Sequence, residues 1–199
     1  MEGNLIDTNT PKDLKFITLA MGSFYIPDSQ VGIVPGIYKS HVGYSGGKGS
    51  NPTYQDLKDH SQSIQLYYSP LEISLKEIFT MFFELAAEND KIIFYNNEEE
   101  KQIAESELSL KNINYIKVKA FESFKIAEEI HQKHYIQKNP KLYSFFLDLF
   151  NKNFWNFVNS TASLRFNCYA AGNGNKEMIL EDCNKLNFPE NLKEYILKD

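Results

Sequence analysis

Arginine is nearly absent from this chain: Arg165 is the only one in 199 residues. Planar, bidentate recognition of a phosphate or carboxylate therefore has a single candidate. The formal charge of -5 leaves no basic footprint for nucleic acid, and none is expected as a partner. No apolar run approaches the length of a membrane span, so no membrane partner is expected. Met1 to Lys15 carries Glu2, Asp7 and Asp13, without arginine and without an apolar stretch. Neither a secretory signal nor a transit peptide fits it, and the expected compartment is the cytoplasm.

Cysteine is scarce as well. Cys168 and Cys183 are the only two, too few and too far apart for a zinc site, and inert thiols are expected rather than a disulfide. His131 and His134 form an H-x-x-H pair, but Glu128, Glu129 and Lys133 around them suggest an exposed amphipathic helix. No metal and no cofactor are expected.

What is present suffices for a folded core: 42% hydrophobic residues and 14% aromatic ones. Residues 1–14 read as an irregular polar lead-in. Strand patterns cover Phe16–Ala20, Ile37–Tyr44, Ser61–Tyr67, Lys91–Tyr95 and Tyr115–Ala120. Ser29–Val34 reads as a helix or turn stopped by Pro35-Gly36, and Ser45–Tyr54 as a glycine-rich loop. Gln55–Asp59 suggests a short helical turn. Ser74–Ala87 is the clearest helix, opened by a capping box of Ser74 and Glu77. Helices are also expected over Glu98–Leu108, Phe124–Tyr135 and Pro140–Asn153, with two short ones between Glu177 and Leu197. No repeat or linker divides the chain, so one domain over 1–199 is expected, its last part from 141 mainly helical.

The sharpest local feature is Gly22-Ser23-Phe24-Tyr25 at the end of the first strand. It presents a small polar side chain beside an aromatic wall, the way a fold offers an attacking atom to an apolar substrate group. Nothing nearby in sequence activates that serine. Downstream come Val42-Gly43-Tyr44-Ser45-Gly46-Gly47, Asn51-Pro52-Thr53-Tyr54, His60-Ser61-Gln62, Tyr68-Ser69-Pro70, His131-Gln132 and Lys138-Asn139-Pro140.

This ordered series resembles the peptide methionine sulfoxide reductase A family, whose motifs run G-C-F-W, V-G-Y-x-G-G, N-P-T-Y, G-H-x-E, Y-D-P and H-Q-x-Y-L-x-K-N-P. The resemblance implies an α+β fold: a ferredoxin-like two-layer α/β sandwich with a mixed sheet and an added helical C-terminal region. It also implies a reaction in which the cysteine attacks a sulfoxide sulfur and becomes a sulfenic acid. Aromatics hold the substrate methyl group, a glutamate protonates the oxygen, two tyrosines bind that oxygen and C-terminal cysteines resolve the sulfenic acid.

Carried over by position, Ser23 stands for the nucleophile, and a serine oxygen cannot play the thiol's redox part. Gln62 stands for the acid; an amide can hydrogen-bond but not deliver a proton. Phe24 and Tyr25 supply the methyl wall, and Tyr54 matches one oxygen-binding tyrosine; the other falls near Asn89. The resolving stretch reads Asn167-Cys168-Tyr169-Ala170-Ala171-Gly172, with alanine at the cysteine's place. The function expected is that of a catalytically inactive family member, a structural or interaction subunit with protein partners in a larger assembly. The aromatics from Tyr143 to Phe157 read first as core, and any part of them left exposed would be an anchor for the partner. The alternatives are a module that binds methionine or methionine sulfoxide through Phe24, Tyr25, Tyr54 and Gln62, and a residual reductase using Cys168 or Cys183.

Overall fold

The computed structural model describes residues 5–85 and 91–197. Strand β1 (Lys15–Met21) alternates its apolar side chains and lies at the centre of a six-stranded sheet. It is flanked by β3 (Ser61–Tyr68) and β4 (Lys91–Tyr95), both antiparallel to it. Outside them lie β2 (Ile37–Ser45) on β3 and β5 (Lys117–Ala120) on β4, the latter pair parallel. The order is β5-β4-β1-β3-β2-β6, with β6 (Phe124–Ile126) closing the second edge.

Ile17, Leu19 and Met21 of β1 face the same way as Ile64, Leu66 and Tyr68 of β3. Against this face pack α2 (Leu75–Glu84), through Ile78, Phe79 and Phe82, and α3 (Glu98–Leu110), through Ala104 and Leu108. The Ser74–Glu77 capping box is formed, with Glu77 N–H on Ser74 Oγ and Ser74 N–H on the Glu77 carboxylate. Ala86 and Asn89 lie outside the described residues.

The C-terminal part builds a second core from α5 (Pro140–Leu149), α6 (Phe154–Val158), α7 (Thr161–Ala170), α8 (Lys176–Lys185) and α9 (Glu190–Ile196). Phe146, Phe157, Phe166 and Phe188 meet there with ring centroids 4.8–6.3 Å apart. Burying each such ring is worth roughly 1.5–3 kcal/mol, so these aromatics are core rather than a partner's anchor. Trp155, at 39% exposure, is the exception.

Three expectations from the sequence are corrected. Phe124–Tyr135 is not one helix: it is β6, a 3-10 turn at Glu129–His131 and a short α4 (His134–Gln137). Pairing with the β2 edge at Gly43 overrides the helical charge pattern. The single helix expected over Pro140–Asn153 breaks at Asn151 and Lys152, whose φ values are +53° and +60°, and restarts behind the Asn153 cap. Gln55–Asp59 forms no helix, only bends and a turn. The lead-in is also tied to the C-terminal part: Ile6 enters the helical core, and the Asp7 carboxylate accepts the N–H groups of Thr161 and Ala162 at the start of α7.

Candidate functional site

The site lies where β1 runs out. Gly22 adopts φ +81°, a conformation that glycine enters without strain, and turns the chain so that half-buried Ser23 precedes a short helix, α1 (Tyr25–Asp28). Phe24 is fully buried, and its N–H points at Gln62 Oε1, 3.3 Å away. The β2–β3 register places Tyr44 directly opposite Gln62. Tyr54 comes from the loop after β2. Gly47 in that loop lies so close to the His60 ring that a Cβ there would collide with it, and Asp59 accepts the N–H groups of Lys48 and Gly49.

These segments bring Phe24, Tyr25, Tyr44 and Tyr54 together as one cluster with Val42 and Ala127. Phe24 meets Tyr25 edge-on at 5.0 Å, and Tyr54 lies 5.9 Å from Phe24 and 5.8 Å from Tyr25. All five of Ser23, Phe24, Tyr25, Tyr54 and Gln62 thus occupy the region around the end of β1. Gln62 holds backbone here, and its carbonyl oxygen is turned to an amide.

Sequence reasoning missed four members of this region: Tyr44, Glu128, His131 and His134. The histidines do not share a helix face. They straddle Lys133, which holds a left-handed φ of +47°, so they enter the site from two elements. His134 stacks on Tyr25 at 4.1 Å, and His131 stacks on Tyr54 at 4.5 Å. The Tyr25 hydroxyl is 2.6 Å from His131 Nδ1, and His131 Nε2 is 3.8 Å from Glu128. The carboxylate favours the proton on Nε2, which leaves Nδ1 to accept from Tyr25. Nδ1 is thereby engaged by Tyr25, while Nε2 faces the Glu128 carboxylate from beyond hydrogen-bond distance. The signals that pointed to this arrangement were the pairing capacity of Phe124-Lys125-Ile126 and the glycine opposite it at position 43.

Electrostatics follow the geometry. Glu128 accepts the Tyr44 hydroxyl at 2.6 Å and the Tyr54 N–H at 3.1 Å. Burial works against its charge, but these bonds hold its carboxyl below the usual range. Burial, then the neighbouring Tyr54, pushes the Tyr25 hydroxyl up to about 12. Burial lowers both histidines, with Lys138 adding to the effect at His134 and Glu128 opposing it at His131. At neutral pH the site is an uncharged aromatic wall with one carboxylate at its edge.

Beneath α1 lies a buried polar cluster. Lys133 Nζ reaches Asp28 Oδ1 at 3.0 Å, the Ser40 carbonyl at 2.9 Å and Ser40 Oγ at 2.7 Å. Asn167 donates to Asp28 Oδ2 at 3.0 Å and accepts the Tyr135 N–H at 2.9 Å.

Neither thiol is presented to the site. Cys168 belongs to α7; it is fully buried, and its sulfur accepts the Gly32 N–H at 3.2 Å. Burial, reinforced by Asp28, pushes this thiol up to about 12. Cys183 sits in the helical core, and burial pushes it up to about 11. Among the described residues, no group of three His, Cys, Asp or Glu side chains is arranged to hold a metal ion. Nor is any described helix long and apolar enough to cross a membrane.

A family model described as "Peptide methionine sulfoxide reductase" matches residues 15–156. A peptide methionine sulfoxide reductase of Drosophila melanogaster is 28% identical over 193 residues, covering 89% of this chain and 77% of the relative. One from Sulfolobus acidocaldarius is 29% identical over 175 residues, covering 76% of this chain and 99% of the relative. Among solved structures, reduced Mxr1 from Saccharomyces cerevisiae superposes with a TM-score of 0.54 at 25% identity, covering 66% of this chain and 89% of that one.

Proposed function

Because this chain belongs to the peptide methionine sulfoxide reductase family, we propose that it keeps the family's recognition surface without the family's redox chemistry. It acts as a binding module, and its ligand is a peptide segment that presents methionine or its sulfoxide. One observation carries this reading: Phe24, Tyr25 and Tyr54 form an aromatic wall, and the residue that runs into it from β1 is half-buried Ser23, not a thiol. A serine hydroxyl has no oxidation ladder to climb, so a sulfoxide at this wall meets no reductant. Gln62 offers a hydrogen-bonding amide but no titratable proton. The burial of Cys168 and Cys183 argues against a displaced nucleophile. The antiparallel inner order β4-β1-β3-β2 supports a ferredoxin-like reading of the sheet.

The test has two arms. Dithiothreitol-coupled turnover of a methionine sulfoxide peptide is expected to be absent, and turnover above the reagent blank would refute the loss of redox chemistry. Titration of the same peptide is expected to perturb tyrosine fluorescence and the Tyr25 and Tyr54 ring signals. No perturbation up to millimolar peptide would refute the binding reading.

A further inference from the structure

Lys133 combines two unfavourable local choices. Its backbone is left-handed, with φ +47° and ψ +49°, a conformation in which a non-glycine residue is strained. Its side chain is fully buried, where an ammonium is costly unless it is paired and hydrogen-bonded. Glycine would suit that backbone better, and methionine or leucine that burial. A residue that fails both local tests is held by what its charged end does.

That end joins three segments. It meets Asp28 on α1, the Ser40 hydroxyl and carbonyl on β2, and through its own backbone the segment carrying the two histidines. Ser40 Oγ completes the triangle by donating to Asp28 Oδ1 at 2.5 Å. Asp28 lies three residues beyond Tyr25 on the same helical turn. His131 and His134 lie two residues before and one after Lys133. One ammonium therefore ties the element bearing Tyr25 to the segment bearing both imidazoles that touch it.

We propose that Lys133 is the positioning residue of this site: its buried ammonium sets the spacing between Tyr25 and the flanking His131 and His134 without facing a ligand. This rests on the reading of the Tyr25 wall as a recognition surface. The charged or titratable groups facing the two histidines are Tyr25, Tyr54, Glu128 and His134 around His131, and Tyr25, Tyr135, Lys138, His131 and Asp28 around His134. Asn167 is a second tie, because it bridges Asp28 to the N–H of Tyr135. It carries no charge and does not reach β2 in these bonds, so it steadies α1 without replacing the clamp.

The experiment compares the full chain with Lys133→Met and with Lys133→Met/Asp28→Asn, using imidazole ¹⁵N shifts and the ring signals of Tyr25 and His134, without ligand and then with a methionine sulfoxide peptide. In the unaltered protein, His131 is expected as a single neutral tautomer with the proton on Nε2, and His134 and Tyr25 to shift each other upfield by stacking. In Lys133→Met the tautomers average, the upfield shifts collapse and peptide affinity drops at least tenfold.

The His134 midpoint rises in Lys133→Met, because Asp28 is left unneutralised, and falls back in the paired variant. The paired variant leaves no lone buried carboxylate, so it is the one read if the single variant does not fold. A folded variant that keeps the parental tautomer and stacking shifts overturns the proposal. Stability loss alone, with those signals intact, does the same, because it marks Lys133 as scaffolding only. If the unaltered protein binds no peptide, the recognition reading falls while the ligand-free signals still decide the role of Lys133.

Discussion

Tyr54 and His131 lie ring over ring with centroids 4.5 Å apart, although 76 residues separate them in sequence. The contact exists because Glu128 accepts the Tyr54 N–H, which pins the loop after β2 to the turn that carries His131. An aromatic recognition surface is thus built from a loop and a turn that the sheet brings together.

Restoring the missing chemistry tests how intact this surface is. Ser23→Cys alone is expected to give a thiol that attacks sulfoxide slowly, since Gln62 supplies no proton. Adding Gln62→Glu is expected to raise dithiothreitol-coupled turnover by about 10²–10⁴-fold over the single variant. Equal rates for the two variants would show that position 62 does not face the substrate oxygen.

The native thiols should be inert. Cys168 and Cys183 are buried and pushed up to about 12 and about 11, so thiolate is scarce at neutral pH. Iodoacetamide at pH 8 is expected to label neither in the folded protein and both in urea, read by intact mass. Rapid native labelling of Cys168 would reopen its candidacy as a nucleophile.

Acid should weaken the fold through His41. Burial, then the nearby Lys133, holds this imidazole near 4, against 6.5 when unfolded, although its ring nitrogen bonds Asn159 at 2.7 Å. Between those values the unfolded chain binds a proton that the native chain refuses, so stability falls as pH falls through that window. The full contribution is up to about 3 kcal/mol. Urea midpoints measured from pH 7 to pH 4 should show this slope, and His41→Gln should flatten it. A His41→Gln profile parallel to the parent's would assign the slope to other groups.

The β2–β6 edge depends on Gly43. A Cβ there would collide with the Lys125 carbonyl and stand 2.5 Å from the Phe124 ring. Gly43→Ala is expected to cost about 1–3 kcal/mol by overcrowding. It should also speed hydrogen exchange at Ala127, whose N–H bonds the Val42 carbonyl at 3.0 Å. Unchanged exchange would mean that β6 tolerates the methyl group by sliding.

The sheet was largely legible because its signals are local. Alternation marks Ser61–Tyr68, and the Ser74–Glu77 pair marks the start of α2 without reference to anything distant. The site was legible only on the side carried by Gly22-Ser23-Phe24-Tyr25, Tyr54 and Gln62. Its other side depends on Phe124-Lys125-Ile126, which reads as the start of the charged Phe124–Tyr135 helix until Gly43 offers an edge to pair with. The clamp was hidden for a related reason: a lysine and an aspartate 105 residues apart look solvated until the fold buries both. Helix α7 had no sequence signal of its own beyond a cap, which Ser160 and Asp7 supply at its start.

Helix α7 places Leu164 in the core beneath the sheet and Phe166 in the helical core, two residues apart on one rigid rod. Neither core can open on that side without exposing apolar surface of the other. The sheet region and the helical region are therefore expected to melt in a single cooperative transition. Cutting the chain before α7 would leave a sheet with an open flank rather than a smaller stable domain.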